Sequence, residues 1–208
     1  MHSLAECACT ILLETDALKK AALSQDLWQR WRDGDVIEVG SADPPVRPNR
    51  PDRPELLHPR AMPRRRLASK NGRLAFMHAI AHIELNAIDL AWDLISGFTY
   101  SRLPREFYDD WVKVGADEAR HFTILQKYLE DHGSSYGELA AHDGLWEAAE
   151  STSDDILARL AIVPLVLEAR GLDTTPGAIQ KLKSVGDEIA ASILDTIAQE
   201  EISHVAAG

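Results

Sequence analysis

The chain has 208 residues, of which 45% are hydrophobic and 26% are charged, and its formal net charge is −11. This composition is typical of a soluble globular protein long enough to bury a sizeable core. The acidic balance argues against a general nucleic-acid or membrane-surface binder. No apolar run predicts a membrane span and no basic segment precedes the apolar N-terminus, so we expect a cytoplasmic protein. Cys7 and Cys9 are too few for a disulfide framework and predict ordinary thiols.

The first third of the chain predicts an arm and a strap. Residues 1–40 carry apolar residues at helical spacing and end near Gly34, which predicts an N-terminal helical arm of one or two helices. Seven prolines between Pro44 and Pro63 predict that residues 41–68 form an extended strap lying along the domain. A basic cluster over residues 60–73 is interpreted as a solvated surface that pairs with acidic groups.

The remaining residues, 69–208, predict an all-α, ferritin-like four-helix bundle. Helix A is expected over 69–97, helix B from Pro104 to about 131, helix C from about 153 to Gly171, and helix D from Thr175–Pro176 onward with an interruption near Gly186. The connections within the pairs A–B and C–D are short. The B–C connection is long and includes a short helix at 145–150, so the connectivity has one long crossover, as in ferritin-like folds.

Two Glu-x-x-His strings, at 118–121 and 201–204, lie on helices B and D. Positions i and i+3 share a helix face, so each string presents one carboxylate and one imidazole in the same direction. Helices A and C each place one acid, Glu84 and Glu168, inside an apolar stripe. A buried carboxylate must be protonated, paired or bound to a metal.

The spacing of these acids repeats along the chain. Glu84 and Glu118 are 34 positions apart, and Glu168 and Glu201 are 33 positions apart. Two Glu-x-x-His pairs, together with one Glu from each of two other helices, form the ligand set of di-metal carboxylate bundles. Carboxylate and imidazole ligands suit two iron ions, or manganese or a mixed pair. The predicted ligands are Glu84, Glu118, His121, Glu168, Glu201 and His204.

Four segments, 78–85, 116–121, 165–173 and 204–208, resemble a large, mostly bacterial, ferritin-like family of unknown function. The resemblance covers most of the chain and implies a non-haem di-iron or related centre with the six ligands above. It implies no settled reaction. Members of that family continue beyond the final His-Val-Ala-Ala-Gly, so the resemblance also implies a truncated chain or a short last helix.

We expect an oxidoreductase that activates O₂ or peroxide and acts on an unknown small molecule, with an unknown electron donor. The alternatives are a ferroxidase that handles iron and a non-catalytic bundle braced by metal. A homodimer is expected because it is common among such bundles. Nucleic acid is not an expected partner. That alternative stays open because one ferritin-like branch hydroxylates a tRNA base and the basic cluster over residues 60–73 could suit RNA.

Other polar residues are interpreted as hydrogen-bonding or ion-pairing partners and not as metal ligands. His78 and His82 lie off the Glu84 face and predict hydrogen-bonded core histidines. Asp89, Asp117 and Arg120 are candidates for pairing with the metal ligands from outside.

Overall fold

A computed structural model describes residues 2–63, 65–162 and 169–207. The regular elements of the described residues are helices, apart from a single bridge between Leu56 and Ala141, which confirms the all-α part of the predicted fold class. The α-helices are α1 (Leu4–Leu13), α2 (Ala17–Asp33), α3 (Lys70–Gly97), α4 (Arg105–Asp131), α5 (Gly144–Glu150), α6 (Ile156–Ile162), α7 (Ala169–Ser184) and α8 (Glu188–Ala207).

Helix starts follow local capping chemistry. The Ser3 hydroxyl accepts the Glu6 N–H while the Glu6 carboxylate accepts the Ser3 N–H at 2.8 Å, a capping box for α1. Asp16 and Ser69 cap α2 and α3 in the same way, each accepting an N–H three residues ahead. Pro104, which has no N–H to leave unpaired, stands immediately before α4. The predicted bounds of helices A and B are therefore confirmed to within a residue.

The long helices α3 and α4 form the centre of the molecule. They pack closely because Gly115 on α4 has no side chain: a Cβ there would lie 2.9 Å from the Trp92 indole of α3. The Trp92 N–H donates to the Ser24 hydroxyl of α2 at 2.8 Å, so a third helix joins the same contact. Any larger residue at position 115 would push apart the two helices that carry Glu84 and Glu118.

The arm and the strap pack on this pair. Helix α1 lies against α3, and α2 lies against α4, with Leu12 and Leu27 buried in the shared core. The strap crosses the surface and is fixed by its own backbone. The Asn49 N–H donates to the Leu12 carbonyl at 2.8 Å, and the Leu57 N–H donates to the Ala141 carbonyl at 2.8 Å. The strap thus lies along the domain, as the sequence predicts.

The predicted boundary between helices C and D is wrong. Helix α7 runs without a break from Ala169 to Ser184, through Gly171 and Pro176, which the sequence interprets as a stop and a start. Burial of Leu182 against the core favours the continuous helix over the local signals. The real turn is at Gly186, whose φ of +80° ends α7, and Asp187 then caps α8. The antiparallel pair at the end of the chain is therefore α7 and α8.

Helix α3 is long and apolar enough, by length and composition, to cross a membrane, whereas no membrane span is predicted from the sequence. However, 67% of its apolar window is buried inside the protein. That is how the core helix of a soluble protein behaves, so the span is weak support for a membrane location.

His78 and His82 are buried in the core, as predicted. His78 Nε2 accepts the Gly137 N–H at 2.9 Å. His82 contacts the Tyr136 hydroxyl through Nδ1 at 2.8 Å and the His142 carbonyl through Nε2 at 3.1 Å. Burial first, and then the nearby Arg65 and Arg50 respectively, lower the pKa of each imidazole to about 4.

These two histidines predict acid lability. Below pH 6.5 the unfolded chain binds protons that the folded chain refuses until about pH 4, so stability falls as the pH drops through that window. We expect each of the two histidines to lower the free energy of unfolding at pH 5 by about 2 kcal/mol relative to neutral pH. Urea denaturation of metal-free protein between pH 7 and 5 measures this. His82→Asn should flatten the pH dependence, whereas replacing the exposed His2 by Asn should not; an unchanged slope in the His82 variant contradicts the assignment.

Candidate metal centre

The predicted ligands on α3, α4 and α8 meet in the interior. Glu84 is 4% exposed, Glu118 is 1% exposed, and His121 and His204 are fully buried. Glu201 is half-buried, with 14% of its side chain exposed. Each acid lies in the apolar face of its helix, so packing of the helices against one another brings carboxylates to a common centre. The sixth predicted ligand, Glu168, lies outside the described residues.

The distances within the cluster are those of a shared site. One potential ligand atom from each of Glu84, Glu118, His121 and Glu201 lies within 4.8 Å of every other. His121 Nδ1 is 3.2 Å from Glu84 and 3.4 Å from Glu118. His204 joins from the other side, where its Nδ1 is 2.9 Å from Glu118 Oε1 and 3.2 Å from Glu201 Oε2.

Glu118 is the central residue of the cluster. One of its oxygens lies near His204 and the other near His121, so the carboxylate spans the space between the two imidazoles. Neither oxygen makes a hydrogen bond of acceptable geometry, although both are buried. Burying a carboxylate costs several kcal/mol, and without a metal the ion pairs with His121 and His204 offset that cost here. A bound cation would satisfy both oxygens, so the residues present fit a metal site.

The outer nitrogen of each imidazole faces a second carboxylate. His121 Nε2 is 2.6 Å from Glu200, and His204 Nε2 is 3.3 Å from Asp117. Arg120 binds both of these outer acids, donating to Asp117 at 3.1 Å and also to Glu200. Histidines that ligate metals usually donate their other N–H to a carboxylate in this way, which fixes the tautomer and leaves Nδ1 free for the metal.

Without a metal, the cluster retains protons. Burial first, and then the neighbouring Glu118, raise the pKa of Glu84 well above its ordinary value and raise that of Glu201 as well. Burial opposes the charged form of His121 and His204, but the adjacent carboxylates outweigh it and raise both pKa values. The imidazolium groups compensate the central acid. A metal ion would replace those protons, so its binding releases protons into solution.

The sequence located some of the supporting residues and missed others. Asp117 and Arg120 lie directly outside the cluster, where the sequence placed them. Asp89 does not: it pairs with Lys20 and Arg50 on the far side of α3. Glu200 was missed because it is about 100° around the helix from Glu201, and its contact with His121 depends on how α8 packs against α4. Its position four residues before His204 was the one available signal.

Comparison with known proteins places the chain in one family. A profile described as "Protein of unknown function (DUF455)" matches residues 13–208. An uncharacterized protein of Haemophilus influenzae is 42% identical over 165 residues, which is 76% of this chain and 57% of that protein. The chain thus spans less than two thirds of that relative. No solved structure matches, so the ferritin-like arrangement stays a prediction. The chain belongs to the DUF455 family, whose function is unknown.

Proposed function

We propose that this protein is a ferritin-like, non-haem di-metal carboxylate oxidoreductase that activates O₂ or peroxide. The observation that carries the proposal is the position of the Glu118 carboxylate, which is buried, makes no hydrogen bond of good geometry and lies between two imidazoles that each have an outer carboxylate. A structural cluster of acids and histidines would satisfy its oxygens with hydrogen bonds. A pair of metal ions would satisfy them by coordination.

The charge of the ligand set favours two divalent ions. Glu84, Glu118, Glu201 and the predicted Glu168 supply four negative charges, which two divalent cations balance when the histidines are neutral. Carboxylates with one imidazole for each metal suit iron or manganese better than zinc, which prefers more nitrogen or sulfur ligands. When bound, an iron pair supplies the two electrons that reduction of O₂ or peroxide needs.

The chain's own residues would set the conditions for that chemistry. Glu84 and Glu201 would hold one metal position each from α3 and α8, while Glu118 joins the two positions. Glu200 and Asp117 orient His121 and His204, and Arg120 fixes both acids through its guanidinium group. The burial of Glu84, Glu118, His121 and His204 strengthens each electrostatic interaction among them.

Anaerobic loading with ferrous iron followed by O₂ tests the proposal. We expect two ferrous ions per chain, followed by fast oxidation in the ultraviolet–visible spectrum and no further iron uptake. Continued uptake and oxidation of many ions per chain would instead identify a ferroxidase. Bound iron that does not react with O₂ or peroxide would indicate a bundle braced by metal. A folded chain that retains no metal by elemental analysis would contradict all three functions.

Glu200 provides a test of the outer carboxylates. Glu200→Gln removes the charge that orients His121 while keeping the shape of the side chain, so we expect metal affinity to fall by about 10–100-fold. Competition with a chromophoric chelator measures the affinity. Glu188→Gln is the matched control, because Glu188 is an exposed acid at the start of the same helix. Equal affinity of both variants would show that Glu200 does not support the site.

A further inference from the structure

A cavity of about 500 Å³ adjoins the carboxylate cluster. Glu84, Glu118 and Glu201 form part of its lining. Along α3 the lining consists of Ile80, Ile83, Ala87 and Leu90, a stripe that spans about 15 Å of helix with Glu84 inside it. The volume falls within the usual range of ligand cavities, about 300–1,000 Å³. The cavity is therefore elongated and reaches the same carboxylates that fit a metal site.

The rest of the described lining is also mainly aliphatic. Leu145 precedes the buried Trp146 on α5, Leu172 comes from α7, and Ile197 and Ala198 come from α8. Thr175 is nearby, but its hydroxyl already donates to the Gly171 carbonyl at 2.8 Å. Ile83 is 43% exposed although it is adjacent to Glu84, so the cavity leaves apolar surface uncovered. Apolar surface of this kind is stabilised by an apolar ligand.

We infer that this cavity binds a mainly hydrocarbon molecule, an aliphatic chain without a cationic group, with one part of the chain against the carboxylate cluster. The inference rests on the proposed function, because two bound metal ions neutralise the carboxylates that would otherwise attract a cation. It names the substrate class of the same site. Among the described residues, the remaining wall offers a chain mainly apolar contacts, and its polar side chains are His142, Thr174 and Thr175.

A series of linear alkanols from butanol to dodecanol tests the inference on the full chain. Titration into protein loaded with Zn²⁺, which is redox-silent, should show affinity rising by about fourfold per added methylene until the cavity is filled. Protein loaded with Mn²⁺ should then broaden the nuclear magnetic resonance signals of the bound alkanol, because the paramagnetic ion lies beside the cavity. Absence of binding, or binding without broadening, overturns the inference.

Two cavity-filling variants and a control complete the experiment. Ala87→Phe on α3 and Ala198→Phe on α8 fill the space and should each remove alkanol binding while metal content stays at the wild-type level. Ala22→Phe places the same ring on an exposed face of α2 and should bind as wild type. Unchanged binding in both cavity variants overturns the inference. A protein that binds metal but no alkanol overturns only the inference about the substrate class. A protein that binds alkanol but no metal overturns the proposed function and the substrate assignment together.

Discussion

Glu118→Ala should reduce the metal content of the protein from two ions per chain to none. Glu118 supplies one oxygen toward each imidazole, so its removal takes a ligand from both of the proposed metal positions at once. Glu118→Gln keeps the shape of the side chain. It should nevertheless have nearly the same effect, because a neutral amide is a weaker ligand for a hard cation. Elemental analysis after anaerobic iron loading and gel filtration measures the content.

The matched control for this variant is Glu130→Ala on the same helix, since Glu130 is exposed near the end of α4. It should retain two ions per chain. Circular dichroism of all variants verifies that each remains helical before the metal contents are compared. Two metals retained by folded Glu118→Ala would refute the site as assigned.

Lys20→Ala should lower the free energy of unfolding by about 3 kcal/mol, because it breaks a buried ion pair. Lys20 is 1% exposed, and its ammonium lies 2.5 Å from the fully buried Asp89. It also donates to the Asn49 carbonyl at 2.8 Å, which ties the strap to α2. Burial raises the pKa of Asp89 while Lys20 and Arg50 counteract it, so loss of Lys20 leaves a poorly compensated buried charge.

Lys19→Ala is the comparison, because Lys19 precedes Lys20 on α2 and is exposed. It should change stability by less than about 0.5 kcal/mol. The double variant Lys20→Met with Asp89→Asn should recover part of the loss, since neither buried charge then remains. Urea denaturation measures all three. Equal stability of the Lys19 and Lys20 variants would show that the buried ion pair does not hold the arm and strap in place.

The helices of the first two thirds of the chain were predictable because their ends are encoded locally. Ser69 caps α3, Pro104 precedes α4, and an apolar stripe runs through each helix. The boundary in the last third was not predictable from such signals. Pro176 resembles a helix start, yet α7 continues through it because long-range burial of Leu182 outweighs the local cost.

The candidate site shows the same division. Helical periodicity was sufficient to pick out Glu84, Glu118 and Glu201, because a carboxylate inside an apolar stripe is buried and therefore needs a proton, a partner or a metal ion. Glu200 was missed and Asp89 was placed wrongly, because pairing between side chains on different helices depends on the angles at which those helices pack. Which side chain such an acid pairs with is therefore decided by the tertiary packing of the helices and not by local sequence.

A crystal of iron-loaded protein, measured on both sides of the iron absorption edge, tests the central proposal most directly. We expect two anomalous peaks about 3.5–4 Å apart, one on each side of the Glu118 carboxylate, with His121 Nδ1 and His204 Nδ1 as ligands. A crystal without an anomalous peak at Glu118, or with iron bound elsewhere on the chain, would contradict the di-metal centre.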